Sequence, residues 1–156
     1  YNGKVKTPSV TVKDANGITL KKDVDYTVKY ASGRKTVGNY AVKITLKGNY
    51  TGSKTLNFTI NPPKCGLSKL TAGTKKLTAT WKAQKSQTSG YQLLVSSSSK
   101  FKSYKKVTVK SYKTTKTTVS KLSSKKYYYV KMRTYKKVGK TTYYSGWSSA
   151  KKVKVK

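Results

Sequence analysis

Short runs in which Val, Ile, Thr and Tyr alternate with polar residues, each closed by Gly, Asn or Asp, occupy nearly the whole chain. A period of two puts successive side chains on opposite faces of a strand, and no stretch sustains the spacing of an amphipathic helix. In the first part the pattern predicts strands at 9–13, 18–20, 26–30, 40–46 and 54–60, with turns at Asp14-Ala15-Asn16-Gly17, at Gly33 and at Gly48-Asn49. Val10 and Val12 then share a face, as do Tyr26, Val28 and Tyr30, then Val42, Ile44 and Leu46, then Leu56, Phe58 and Ile60. These faces are the expected core of a small module.

Asn61-Pro62-Pro63-Lys64 interrupts the alternation, because proline holds φ fixed and has no N–H for a ladder. The break divides the chain into a module over 1–61, a stiff Pro-Pro linker at 62–65 and a second module over 66–156. Beyond it, strands are predicted at 66–72, 76–82, 90–96, 105–110, 115–119, 127–135 and 143–156, the last interrupted near Gly146. Seven strands joined by short turns have the number and spacing of a Greek-key sandwich. By parity Leu77, Ala79 and Trp81 face inward, with Tyr91, Leu93 and Val95, Val107 and Val109, Tyr128, Val130 and Met132, and Val153 and Val155. The expected fold class is all-β, two consecutive small antiparallel β-sandwiches.

Composition changes this picture in two ways. Hydrophobic residues make up only 35% of the chain, but fourteen tyrosines and two tryptophans supply large rings for a thin core between two sheets. Charge is lopsided: 36 basic residues against Asp14, Asp23 and Asp25 give +33. Up to Pro63 there are eleven basic and three acidic residues, a net +8; beyond it there are 25 basic and no acidic ones, a net +25. Side-chain salt bridges therefore cannot support the second module, and its field draws polyanions towards it.

The same counts exclude most catalytic apparatus. Histidine and glutamate are absent and Cys65 is the only cysteine, so no zinc site, base-activated nucleophile or carboxylate pair can be assembled in the second module. We expect a non-enzymatic chain with neither metal nor other cofactor. Cys65 can form no intrachain disulfide and reads as a small residue rather than a reactive thiol. Asp14 and Asn16 read as an ordinary hairpin turn, since calcium takes about six to eight oxygen ligands. A Lys–Asn cross-link needs a buried acid beside it, which only the first module could offer; loss of one ammonia is its mass signature. No apolar run approaches the length of a membrane-spanning helix. An opening at Tyr1, with neither methionine nor signal segment, is what a piece of a longer protein would show.

Several motifs carry a resemblance. Leu77-Thr78-Ala79-Thr80-Trp81 resembles the second strand of fibronectin type III domains, with its core tryptophan, and Gly90-Tyr91-Gln92-Leu93 resembles the third. Leu122 followed by Tyr128 is similar to that family's leucine and corner tyrosine, and Tyr144-Ser145-Gly146-Trp147-Ser148 resembles the approach to its last strand. Tyr1-Asn2-Gly3-Lys4, Pro8-Ser9-Val10, Asp25-Tyr26-Thr27-Val28 and Gly48-Asn49-Tyr50-Thr51-Gly52 resemble the immunoglobulin-like repeats of Gram-positive bacterial surface proteins. The resemblance implies an Ig-like sandwich followed by a fibronectin type III-like one, in a secreted or cell-wall-attached bacterial protein. It implies no single ligand.

Outward positions on the last two strands mix cations with rings. Tyr129, Lys131, Arg133, Tyr135, Lys152 and Lys154 form a candidate face for an anionic cell-wall polymer or acidic glycan, lysines meeting the charges and tyrosines stacking on sugars. The alternative is a solvated face whose lysines protect edge strands. Lys136, Lys137, Lys140, Tyr143 and Tyr144 are candidate loop contacts for a host protein, while Trp147 is expected to stack on Arg133. Trp81, Tyr91, Leu122 and Tyr128 are assigned to the core. With only Arg34 and Arg133 able to present a guanidinium fork, sequence-specific nucleic-acid reading is not expected. The expected function is a monomeric, extracellular spacer and interaction segment. The alternatives are an adhesin binding a host protein or glycan, such as mucin or immunoglobulin, and an accessory module of a secreted polysaccharide-active enzyme.

Overall fold

Every regular element of the computed structural model, which describes residues 1–156, is a β-strand. In chain order they are β1 (Tyr26–Tyr30), β2 (Gly38–Leu46), β3 (Ser53–Ile60), β4 (Leu67–Gly73), β5 (Lys76–Trp81), β6 (Gly90–Ser96), β7 (Lys105–Val109), β8 (Lys116–Ser120), β9 (Tyr127–Val138), β10 (Thr141–Tyr144) and β11 (Lys151–Lys154). They fall into two units, Tyr1–Ile60 and Asn61–Lys156.

The first unit is a single antiparallel sheet in the order β1-β2-β3. Its register, with Val28 opposite Ile44 and Val42 opposite Leu56, gathers the apolar residues on one face and leaves Lys29, Lys43 and Thr55 on the other. Strands predicted at 9–13 and 18–20 do not form; only an isolated bridge joins Lys13 to Thr19. Local bonding explains this. Asp14 Oδ1 accepts from the N–H groups of Asn16 and Ile18, so a side chain supplies what a ladder would have supplied. The segment instead lies as an irregular cover, fastened by the Tyr26 and Tyr30 hydroxyls, which donate to the carbonyls of Val10 and Pro8. Leu20, Tyr26 and Ile44 form the buried centre, with Val10, Val12, Val28, Leu46 and Tyr50 around it. One sheet under one cover replaces the two-sheet sandwich expected here. Leu56, predicted inward, is 45% exposed, because edge strand β3 lies outside that buried cluster.

The second unit has two sheets. One runs β4-β5-β8; the other runs β10-β9-β6-β7, with β11 also on β9. The predicted strand at 143–156 is in fact two, β10 pairing with Tyr135–Val138 of β9 and β11 with Tyr127–Val130. Between them Ser145 and Ser148 take over the ladder. Their backbone N–H groups donate to Thr134 O and Met132 O, and their hydroxyls accept from Thr134 N and Met132 N at 3.1 and 3.0 Å. Strand β9 therefore keeps its hydrogen bonds across a segment that is not a strand. Pro62 is buried, and Pro63 O accepts from Thr134 Oγ1 at 2.6 Å, so both prolines pack within this unit.

All the inward positions named from parity lie in or against one core, where Trp81 meets Tyr91 edge-on with ring centroids 5.2 Å apart. Leu122 is buried with them, and the Tyr128 hydroxyl accepts from Ser123 N at 3.0 Å, the corner that ties one sheet to the other. Tyr91 is a second such tie. Its hydroxyl accepts from Gln84 N and donates to Tyr112 O, both at 2.8 Å, and burial raises its pKa despite the Gln84 bond. Tyr91→Phe is expected to cost about 1–2 kcal/mol, because the backbone groups of Gln84 and Tyr112 lose their partner. Urea unfolding tests this; an unchanged free energy would mean that water replaces the hydroxyl.

Candidate functional site

Outward positions of a sandwich normally face water, yet Gln92, Leu94 and Ser96 on the outer face of β6 are only 8, 6 and 3% exposed. A layer of rings and cations covers them. Lys131, paired with Leu94, puts Nζ 4.1 Å from the Phe101 ring centroid and 5.6 Å from that of Trp147. Arg133, paired with Gln92, lies between Trp147 and Tyr144, Cζ at 4.3 and 3.9 Å from their centroids. Tyr144 in turn meets Tyr135 at 6.3 Å. Two guanidinium N–H groups of Arg133, on Nε and Nη2, donate to Gln92 Oε1 at 3.1 and 2.8 Å. Burial lowers the Arg133 pKa, partly offset by the Tyr144 and Tyr104 hydroxyls; an arginine so placed stays charged.

This arrangement sorts the predicted contacts. Tyr135 is 5% exposed, and burial raises its hydroxyl pKa, so it points to this face but lies beneath its surface. Arg133 is held by two rings and by Gln92, and Lys131 rests on Phe101; these residues build the cover rather than offer themselves to a ligand. The reason is the Ser145–Ser148 segment, which carries Trp147 over the sheet. Trp147 does stack on Arg133. What remains open is the other end of the face: Tyr129 is half-buried, and Tyr127 is 51% exposed with Lys152 and Lys154 Nζ at 5.3 and 5.9 Å from its centroid. On the β9–β10 hairpin Lys137 and Lys140 are exposed, Lys136 pairs with the half-buried Tyr143, and Tyr144 belongs to the cover.

Sequence reasoning missed Phe101 and Tyr104, the latter 53% exposed, because both lie outside any alternating run. It also missed a hollow of about 120 Å³ lined by Gln92, Thr108, Lys110, Tyr135, Lys137, Thr142 and Tyr144. A polar Gln92 in the middle of an otherwise apolar strand was the available signal. In the first unit a larger, mostly apolar groove of about 480 Å³ lies beside Val10, Val12, Ile44, Leu46 and Leu56. His, Cys, Asp and Glu side chains come together nowhere as a metal-ligand group. Burial raises the Cys65 thiol pKa against a smaller lowering by the Gly66 backbone, so it stays protonated at neutral pH.

No family model matches the chain, and no curated protein matches it in sequence. Among solved structures it is similar to the FN1–FN3 domains of chicken CNTN1, at 14% identity and a TM-score of 0.52 over 78% of this chain and 44% of that one. It is also similar to a β-1,2-glucanase from Parabacteroides distasonis, at 16% identity and a TM-score of 0.49 over 74% of this chain and 18% of that one. The chain thus spans less than half of the first and under a fifth of the second. Sheet order, the tyrosine corner and the likeness to the CNTN1 domains together make this an all-β fold of the fibronectin type III-like kind.

Proposed function

We propose that the chain is a non-catalytic spacer and interaction segment of a secreted or wall-attached bacterial protein, and that its second unit holds anionic polymers on the open end of the five-stranded face. The observation that carries this is Tyr127, half-exposed between Lys152 and Lys154 in a unit with a net charge of +25 and no acidic side chain. A ring flanked by two lysine ammonium groups offers a stacking surface beside point charges, with no guanidinium fork to demand one ligand. Bacterial origin and an extracellular site rest on the motif resemblance; the absence of histidine, glutamate and paired acids supports a non-catalytic role.

Binding of the whole chain to a wall teichoic acid tests the reading. Raising salt from about 0.05 to about 0.5 M is expected to weaken binding more than tenfold, as exposed charges are screened. At low salt Lys152→Gln with Lys154→Gln is expected to weaken it roughly threefold to tenfold. No binding at low salt would leave a spacer alone, and a saturable complex with one host protein that survives half-molar salt would favour an adhesin.

A further inference from the structure

We propose that the hollow between β7 and the β9–β10 hairpin is a subsite for one uronate residue of an acidic polysaccharide, an inference that rests on the polymer-contacting reading of this face. Its shape follows from Gly90, which pairs with Tyr135 across the sheet. With no side chain at position 90, the Tyr135 ring settles over the strand: a Cβ there would stand 2.8 Å from its hydroxyl and 3.0 Å from Cε1. Tyr135 and Gln92 thus form a sunken floor. Thr108, opposite Gln92, and Lys110 stand on one side; Lys137 and Thr142, opposite each other on the hairpin, stand on the other.

The lining chemistry is one-sided. Arg133 fixes Gln92 Oε1 as its acceptor, so the part of that side chain left to the hollow is the amide NH₂, a donor. Two ammonium groups and the hydroxyls of Thr108 and Thr142 complete a set with donors on both sides and no carboxylate. The complementary guest is an anion that only accepts hydrogen bonds. Size narrows it further. About 120 Å³ is well below the roughly 300–1,000 Å³ of pockets that enclose a drug-sized ligand, so the hollow takes one acid group and the ring that bears it. Tyr144, one face of which lies on Arg133, borders the hollow and gives that sugar ring an apolar surface to rest against, which a poly(glycerol phosphate) chain would not use.

The test titrates the whole chain, isotope-labelled for NMR, with oligogalacturonate. Lys110→Gln with Lys137→Gln is expected to weaken binding at least tenfold, whereas Lys69→Gln with Lys116→Gln, an equal charge loss on the outer face of the three-stranded sheet, should weaken it no more than about threefold. Thr142→Val, which leaves charge unchanged, should weaken it about threefold or more. Equal losses in the two double variants, with no effect of Thr142→Val, would overturn the subsite and leave the polymer reading standing. Equal dependence on Lys110, Lys137 and Thr142 when poly(glycerol phosphate) is the probe would overturn the preference for a sugar acid. Binding of teichoic acid but not of oligogalacturonate also sinks the subsite; binding of neither sinks the polymer reading itself.

Discussion

Gly90→Ala is expected to lower the thermal midpoint of the second unit by roughly 10–20 °C, on the scale of about 3 kcal/mol for an overpacked site. Gly90 does not owe its place to an unusual backbone angle. It owes it to space: a Cβ there would lie 2.1 Å from Val109 O, besides the two close contacts with Tyr135. All seven residues of β6 are buried, with β9 on one side and β7 on the other, so the strand has little room to retreat. The ring can swing away, but the carbonyl belongs to the partner strand's backbone. Adding Tyr135→Ala to Gly90→Ala should therefore leave most of the loss in place. Calorimetry or circular dichroism on both variants decides it, and recovery of the midpoint in the double variant would mean that the ring, not the backbone, sets the limit.

Period-two alternation was legible wherever two sheets close on each other. In the second unit it placed Leu77, Tyr91, Val130 and Val155 on the correct face, because inward parity and burial coincide there. It failed at residues 9–13, where Val10 and Val12 do pack inward but without a ladder, since Asp14 satisfies its neighbours locally. It failed for Leu56 because parity says which way a side chain points and not whether anything lies opposite. The candidate site shows the same limit. Lys152, Lys154, Arg133 and Tyr135 were all read as outward, and they are; what alternation cannot report is that Phe101 and Trp147 fold over the middle of that face from segments outside the strands. The donor-lined hollow was out of reach for another reason. It depends on the glycine at position 90 together with residues from four different strands and a loop, a combination no single run of sequence displays.

Arg133 is where the structural and binding readings of this face separate. Arg133→Met is expected to cost the second unit about 2–3 kcal/mol, from loss of a charge-assisted pair of bonds to the buried Gln92 and of two partly desolvated ring contacts. Arg133→Lys keeps the charge and should recover little, because an ammonium group cannot lie flat between Tyr144 and Trp147 while forking onto one oxygen. Urea unfolding of the two variants gives the free energies. Teichoic acid binding at low salt gives the second half of the answer: at a temperature where both variants are folded, Arg133→Met should weaken it no more than removal of one distant lysine does. If it weakened binding more than the paired Lys152→Gln and Lys154→Gln changes, Arg133 would be a contact reached by the ligand, and the layer over β6 would have to open to receive it. If stability were unchanged, the layer would be a lid resting on a face that is already stable, and Gln92 would be satisfied by water. Expected loss of stability with retained binding would make Arg133 a strut. The lysines around it would then carry the contact with the polymer, above a strand β6 kept buried beneath them.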